Sequence, residues 1–262
     1  MYKEFETRTS YKYLQEVIKH LNEPICILGG WAVFFHVNKN FQETKKKPYL
    51  GSRDIDLGFH LKENMTTHEL EQSSLAQTIH LLRDDLHFKP LSFRLLKEIH
   101  TETEEEIAPG RHIPSHFIFP MSVDLIVDVI PQEFRKTLKF SPIDEPLLSF
   151  VFHGEEHRTF VTEFHKRLLL PTPELLIAMK IHSLPQRDKE HKKVKDMCDL
   201  FALLWYSGIK KNELKEKLAV LTSEKNIHNC LNAIAKDDLE KAGLQIGHTN
   251  DEIKRVFDLL RE

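Results

Sequence analysis

Cysteine, glycine and proline are scarce in this sequence. Its 262 residues include three Cys, nine Gly and 12 Pro. So little Gly and Pro excludes collagen-like and low-complexity chains. Three widely spaced cysteines without a C-x-x-C pair support neither a disulfide framework nor a zinc site. We therefore expect buried, reduced thiols and a cytoplasmic location.

Long apolar runs and an excess of one charge sign are also absent. The longest apolar runs are far too short to cross a bilayer, and the first residues mix charges, so we expect neither membrane association nor a signal peptide. Lys plus Arg total 37 against 40 Asp plus Glu, a formal charge of -3. This balance gives no electrostatic case for a general nucleic-acid-binding protein. With 40% hydrophobic residues, the chain has the composition of a globular protein.

Hydrophobic periodicity divides the chain into two parts. Over residues 1–170, helical stripes alternate with short strand-like runs, which predicts an α+β layer with a small mixed β-sheet flanked by helices. Pro171-Thr172-Pro173 marks a boundary. Beyond it every apolar stripe has helical spacing, which predicts an α-helical bundle domain over residues 171–262.

Several local expectations accompany this division. A helix should begin at Trp31, and residues 38–50 should form a Lys-rich connection. Residues 150–152 and 159–164 should form short strand pieces, and further helices should start near Lys211, Ser223 and Asn250. One helix should bury an apolar stripe made of Val194, Met197, Cys198, Phe201 and Trp205.

Paired carboxylates on a strand are the most informative chemical feature. Asp54 and Asp56 are two residues apart in a segment of alternating polarity, so they share a strand face about 6.6 Å apart. Like charges at that range repel, and a divalent cation such as Mg²⁺, which prefers carboxylate and phosphate oxygens, resolves the conflict. For a D-x-D pattern alone, a solvated strand face is the simpler interpretation.

Two further features accompany this pair. Gly29-Gly30 stands at a predicted strand-to-helix turn, where a phosphate can approach the backbone and the helix N-terminus favours anions. A plain tight turn is the alternative. A third carboxylate is available in the apolar strand over residues 123–129, where burying Asp is costly unless it faces a polar cleft or a cation. We favour Asp124, because Pro131 places Asp128 near the strand end; an edge strand facing solvent is the alternative for both.

The order of these motifs resembles that of the DNA polymerase β superfamily of nucleotidyltransferases. The chain has G-G, then S-R-D-I-D-L, then an Asp between apolar residues on a later strand. The resemblance implies that Asp54 and Asp56 bind two Mg²⁺ ions, with Mn²⁺ as the other candidate metal, and that Asp124 completes the site. It also implies that the triphosphate of an NTP lies along a set of nucleotide-binding residues, namely Gly29, Gly30, Ser52 and Arg53.

The helical part looks like the AbiEii-type toxin branch of that superfamily. P-E-L-L-I-A-M-K ends at Lys180, and K-D-M-C-D-L contains Asp196 and Asp199. The resemblance implies a catalytic, phosphate-binding Lys180 and a nucleotide-binding Asp196, with a role for Asp199 left open. A solvated helix face with i,i+4 ion pairs is the alternative. The branch also implies a tRNA or another macromolecule as acceptor, and an antitoxin protein as a candidate partner.

The predicted function is transfer of an NMP from an NTP, with ATP among the candidates, to an acceptor, with release of pyrophosphate. Two alternatives stay open. Gly29-Gly30-Trp31-Ala32 is also similar to aminoglycoside and lincosamide nucleotidyltransferases, which implies a small-molecule acceptor. A nucleotide- or RNA-binding module with an idle metal site is the non-enzymatic alternative, although such a module has no need of all three carboxylates.

Overall fold

A computed structural model describes residues 3–108 and 110–261. Contacts between α-carbons divide these residues into two compact units. The sheet unit comprises Lys3–Trp31 and Ser52–Leu170, and the helical unit comprises Ala32–Gly51 and residues 171–261. Residues 32–51 therefore group by contact with the C-terminal part of the chain. The division into two domains at residue 171 stays a prediction.

Twelve α-helices lie within the described residues. In chain order they are α1 (Glu4–His20), α2 (Gly29–Lys45), α3 (Thr67–Glu71), α4 (Ser74–His80), α5 (Phe134–Leu138), α6 (Leu148–His153), α7 (Pro173–Ser183), α8 (Glu190–Tyr206), α9 (Lys211–Leu221), α10 (Glu224–Asn232), α11 (Lys236–Ile246) and α12 (Asn250–Asp258). A π-helical turn follows α4 at Leu81–Asp85. Nowhere in the described ranges is a helix both long enough and apolar enough to span a membrane.

Eight strands of the described chain form one mixed sheet. They are β1 (Ile25–Ile27), β2 (Asp54–Phe59), β3 (Lys89–Leu91), β4 (Arg94–His100), β5 (Ile118–Val127), β6 (Ile143–Asp144), β7 (Arg158–Glu163) and β8 (Lys166–Pro171). The spatial order is β3-β4-β5-β2-β1-β8-β7, and β6 pairs with β5. The central β2–β5 pair is parallel, whereas β1–β2 and β4–β5 are antiparallel. The predicted α+β class with a small mixed sheet and a helical C-terminal part is confirmed.

One face of the central strands forms the core of the sheet unit. Ile55 and Leu57 of β2 are opposite Val123 and Leu125 of β5, and all four side chains are buried. Helix α1 contacts both strands, and Phe5 at its start packs edge-on against Phe119 of β5. Because side chains alternate along a strand, this apolar face leaves the intervening residues of β2 and β5 for the opposite face.

The helical unit is built around α8, which contacts α7, α11 and α12. Its interior contains Cys198, and Cys230 of α10 is also buried, as is Cys26 of the sheet unit. Burial raises the pKa of Cys198 and of Cys230 to about 12. The expectation of buried thiols is confirmed, and these two are protonated at neutral pH.

Two local predictions are wrong. Helix α2 begins at Gly29 rather than Trp31 and continues to Lys45, so most of the expected connection over residues 38–50 is helical. Val37 and Phe41, both buried, have the i,i+4 spacing of its inner face, and Lys39 between them is exposed on its outer face.

The strand expected over residues 150–152 is helix α6 instead. Leu148 and Val151 are buried at i,i+3 spacing, so tertiary packing overrides the β-propensity of this Phe-Val-Phe run. The strand expected over residues 159–164 is confirmed as β7. Helix starts near Lys211, Ser223 and Asn250 are confirmed by α9, α10 and α12, whereas α11 was not anticipated.

The apolar stripe expected on α8 is correct except at its end. Phe201 is 1% exposed, but Trp205 is 57% exposed. We predict that Phe201→Ala lowers the free energy of unfolding by about 3–5 kcal/mol, because it leaves a cavity in the helical core. Trp205→Ala, on the same helix, should change it by less than about 1 kcal/mol, as surface substitutions do. Urea denaturation of both variants measures the difference; equal losses would contradict this packing.

Candidate functional site

Three carboxylates share the polar face of the sheet unit's central strands. Asp56 of β2 and Asp124 of β5 are direct Cα partners in the parallel ladder, and Asp54 lies two residues before Asp56. Neighbouring strands are about 4.8 Å apart, so these residues are adjacent on one face. Asp124 is buried, and Asp54 and Asp56 are half-buried.

Burial of the opposite face positions these carboxylates. Ile55 and Leu57 alternate with the aspartates of β2, and Val123 and Leu125 flank Asp124. A shift of either strand by one residue would bring a carboxylate into the apolar core and expose the aliphatic side chains. The hydrophobic core therefore determines the side on which the acidic residues lie.

Gly29 lies directly against this acidic face. It follows β1 with φ of 58°, and a Cβ at this position would lie 1.8 Å from Asp56 Oδ2. The Asp56 carboxylate thus occupies space that any other residue at position 29 would fill. The preceding residue is tied to the same strand, since the Leu28 N–H donates to the Asp56 carbonyl oxygen at 2.9 Å. Gly30 continues into the first turn of α2.

Ser52 and Arg53 lie in different surroundings although they are consecutive. The Ser52 hydroxyl donates to Asp54 Oδ1 at 3.1 Å, which brings it to the acidic face. Arg53 Nε lies 3.1 Å from Glu6 Oε2 of α1, and its guanidinium carbon is 5.5 Å from the centre of the Phe119 ring. Glu6 and Phe119 belong to the core side of the sheet, and the nucleotide-binding role implied for Arg53 stays a prediction.

Arg94 is a member of this site that the sequence analysis missed. Register places it opposite Asp124 in the antiparallel β4–β5 ladder, and its Nη2 donates to Asp124 Oδ2 at 2.9 Å. Its guanidinium carbon also lies 4.6 Å from the centre of the Phe93 ring. Nothing in the sequence distinguishes this arginine from other surface cations, because only the strand register brings it to the carboxylates.

The donor chemistry of this face suits a hard divalent cation. Carboxylate oxygens are the ligands that Mg²⁺ prefers, and Asp54, Asp56 and Asp124 supply them from two neighbouring strands. Across the described part of the chain, no group of three or more His, Cys, Asp or Glu side chains is arranged as a metal site. In this structure Asp124 is instead paired with Arg94. Donor type and a shared face therefore favour the metal, whereas the arrangement of these side chains in the described structure does not form a metal site.

Asp128 has a different environment from Asp124. It is buried just beyond the end of β5, where it accepts a hydrogen bond from the Leu61 N–H at 3.0 Å. His60 Nδ1 lies 2.5 Å from its other oxygen. Four residues of strand separate Asp128 from Asp124, about 13 Å along the sheet. These contacts hold the chain after β2.

The helical unit contains a separate cluster of buried charges. Lys180 of α7 forms ion pairs with Asp196 and Asp199 of α8, with Nζ 2.8 Å from Asp199 Oδ2. Lys195 and Tyr49 also contact Asp199, and Ser183 and Arg187 also contact Asp196. Asp196 and Asp199 are 3% and 0% exposed, so the solvated-face alternative is wrong for both.

Opposite charges in this cluster outweigh the cost of burial. Burial alone would lower the pKa of Lys180, but Asp196 and Asp199 raise it above its usual value of 10.5. Burial alone would raise the pKa of Asp196, but Lys180 and Arg187 hold it below 3.8. The stabilisation from Asp196 is therefore present above pH 3.8 and is lost as pH falls through its lowered pKa. The stabilisation from Lys180 is present below pH 10.5 and is lost as pH rises through its raised pKa.

Comparisons with known proteins give little further guidance. No family model matches the chain, and no curated protein sequence matches it. A similar solved structure is that of an antigenic nucleotidyltransferase-like protein from Paracoccidioides brasiliensis. Identity is 18%, the alignment covers 89% of this chain and 94% of that chain, and the TM-score is 0.37. A score this low assigns neither a fold nor a function to this chain.

Replacement of Gly29 tests the close approach of Asp56. We predict that Gly29→Ala lowers the free energy of unfolding by more than about 2 kcal/mol, because the added methyl group collides with the carboxylate in addition to the strain of the left-handed backbone. Gly208→Ala is the matched control, since Gly208 also has a positive φ, of 81°, but no atom within 4 Å of an added Cβ. Urea denaturation should show the larger loss of unfolding free energy for Gly29→Ala. Equal losses in the two variants would mean that backbone strain alone explains them and that the Asp56 carboxylate is not in the way.

Removal of the Lys180 charge tests the buried cluster. We predict that Lys180→Met lowers the free energy of unfolding by about 3–5 kcal/mol, because two buried carboxylates lose a shared counter-ion. Lys254→Met, at an exposed position of α12, removes the same charge and should change stability by less than about 0.5 kcal/mol. Urea denaturation at pH 7 provides the comparison. Similar stability of the two variants would exclude Lys180 as the partner of both carboxylates.

Proposed function

We propose that this protein is a metal-dependent nucleotidyltransferase, which transfers an NMP from an NTP to an acceptor and releases pyrophosphate. One observation carries the proposal: Asp54, Asp56 and Asp124 lie on one face of adjacent strands, with Asp56 against the bend at Gly29. The motif order that resembles the DNA polymerase β superfamily supports the same function. Carboxylates placed beside the N-terminus of a helix suit in-line phosphoryl displacement.

Each part of the face has a role in this proposal. Asp54, Asp56 and Asp124 would hold Mg²⁺ or Mn²⁺, which neutralises charge on the phosphate oxygens when bound. Gly29 and Gly30 open a helix of 17 residues, and its first N–H groups favour the anionic triphosphate. The Ser52 hydroxyl orients Asp54 through its 3.1 Å hydrogen bond. Arrangements of this kind act mainly by positioning and by charge neutralisation.

The catalytic role implied for Lys180 stays a prediction. Its ammonium is buried between Asp196 and Asp199, so binding a phosphate there requires exchange of at least one buried ion pair. In this structure the same ion pairs join α7 to α8. We therefore base the proposed activity on the acidic face of the sheet unit alone.

Labelled nucleotides test the proposed reaction. We predict that the protein with Mg²⁺ and an [α-³²P]NTP labels an acceptor, whereas a [γ-³²P]NTP gives only labelled pyrophosphate. Asp56→Asn should reduce labelling about 100-fold or more, because the metal loses a ligand. Asp85→Asn, at an exposed carboxylate outside the face, should label like the parent protein.

The acceptor pools distinguish the remaining alternatives. Labelling in total RNA supports a tRNA or another macromolecular acceptor, and labelling of an aminoglycoside or a lincosamide supports the small-molecule alternative. Equal labelling by the parent protein and Asp56→Asn would reject the metal-binding role of Asp56. If an NTP binds but no pool is labelled, the protein is a nucleotide-binding module rather than a transferase.

A further inference from the structure

We propose that an apolar groove in the helical unit binds an amphipathic carboxylate, a small molecule with an aliphatic body and one anionic end. Its lining residues all lie between positions 214 and 261, within the helical unit. The groove includes none of the residues to which the proposed transfer reaction is assigned. It is therefore a separate candidate site, and binding there does not depend on that reaction.

Incomplete packing of two amphipathic helices creates the groove. Helix α10 contacts α7, and its fully buried side chain is that of Cys230. Ile227 and Leu231 of α10, one turn apart, are only half-buried and line the groove. Leu214 and Leu218 of α9 line it as well. The helices thus leave apolar side chains that their neighbours in the fold do not fully cover.

The size of the groove suits a small molecule. Its volume is about 600 Å³, within the range of about 300–1,000 Å³ that is typical of small-molecule sites. Residues 259–261, which follow α12, contribute to its wall together with α9 and α10. An aliphatic chain that enters it is removed from water, and the gain in free energy increases with each buried methylene.

Cationic side chains at this apolar groove favour an anionic end on the ligand. Lys215, Lys225 and Arg261 belong to its lining, and Glu224 is the one carboxylate among the described lining residues. Arg261 also pairs with Asp258 at 3.2 Å. Lys225 is exposed. A lysine in this position can lay its alkyl stem on the apolar wall while its ammonium meets a carboxylate at the rim.

An unselective gap between surface helices is the alternative, and ligand charge separates the two. A merely apolar gap would take up an aliphatic cation as readily as an aliphatic anion of the same length. A groove with an excess of positive charge at its rim prefers the anion. Comparison of two ligands that differ only in their charged end therefore measures the selectivity.

Isothermal titration calorimetry of the full chain with decanoate, without metal or nucleotide, is the test. We predict saturable one-to-one binding, at least about tenfold tighter for decanoate than for decylammonium, because the rim attracts one and repels the other. Octanoate should bind at least about threefold more weakly than decanoate, because two fewer methylenes are buried.

Matched variants locate the site. Ala219→Phe, at an exposed position of α9 that lines the groove, should weaken decanoate binding at least about tenfold by filling the space. Val220→Phe adds similar bulk on the same helix at a 68% exposed position outside the lining and should bind like the parent protein. Urea denaturation confirms that each variant is folded.

A second pair of variants tests the charge at the rim. Lys225→Gln should weaken decanoate binding about threefold or more and reduce the preference over decylammonium, because the carboxylate loses a cationic partner. Lys236→Gln, at an exposed position of α11 outside the groove, removes the same charge and should leave both affinities unchanged.

Several results would overturn the proposal. These are absence of saturable decanoate binding below about 1 mM, equal binding of decylammonium, and parent-like binding by Ala219→Phe. Equal weakening by Val220→Phe would place the ligand elsewhere, and equal weakening by Lys236→Gln would reduce the effect to net charge. The acidic face of the sheet unit is unchanged in every variant, so failure here leaves the proposed transfer reaction standing.

Discussion

The parallel pairing of β2 with β5 is the constraint on which the candidate site depends. It places Asp56 beside Asp124, and it is maintained by the aliphatic side chains on the other face of the same strands. Hydrophobic burial therefore supplies the free energy that keeps like charges adjacent. Side chains alternate between the two faces of a strand, so a shift in register that moved the carboxylates would also move the aliphatic side chains out of the core.

The two units stabilise their buried charges differently. In the helical unit Asp196 and Asp199 are matched by cations from the same cluster, and Lys180 serves both carboxylates. On the sheet unit's acidic face, Arg94 pairs with Asp124 at the edge of a group of three carboxylates. A closed network of the first kind suits helix packing, whereas carboxylates gathered on one polar face supply the donor atoms that a hard cation prefers.

Much of the fold and part of the site could be predicted from local pattern. The alternation of polar and apolar residues over 54–59 and the Gly-Gly bend are both local patterns, set by residues next to each other in the chain. The sequence therefore predicts both. The helix at Leu148–His153 was missed because its Phe-Val-Phe run favours a strand until packing is known. Helical periodicity places Trp205 on the apolar face of α8, but it does not show whether another element covers that position. Within the described residues nothing buries Trp205, and it is exposed.

The spacing of a few residues is enough to predict that Asp54 and Asp56 share a face, that a glycine bend precedes them, and that the C-terminal part is helical. Local spacing does not predict that Asp124 lies beside Asp56, that Arg94 pairs with Asp124, or that Lys180 is buried with two carboxylates. Strand register and helix packing join these residues although they are distant in sequence, and the free energy of such contacts comes from the folded chain as a whole.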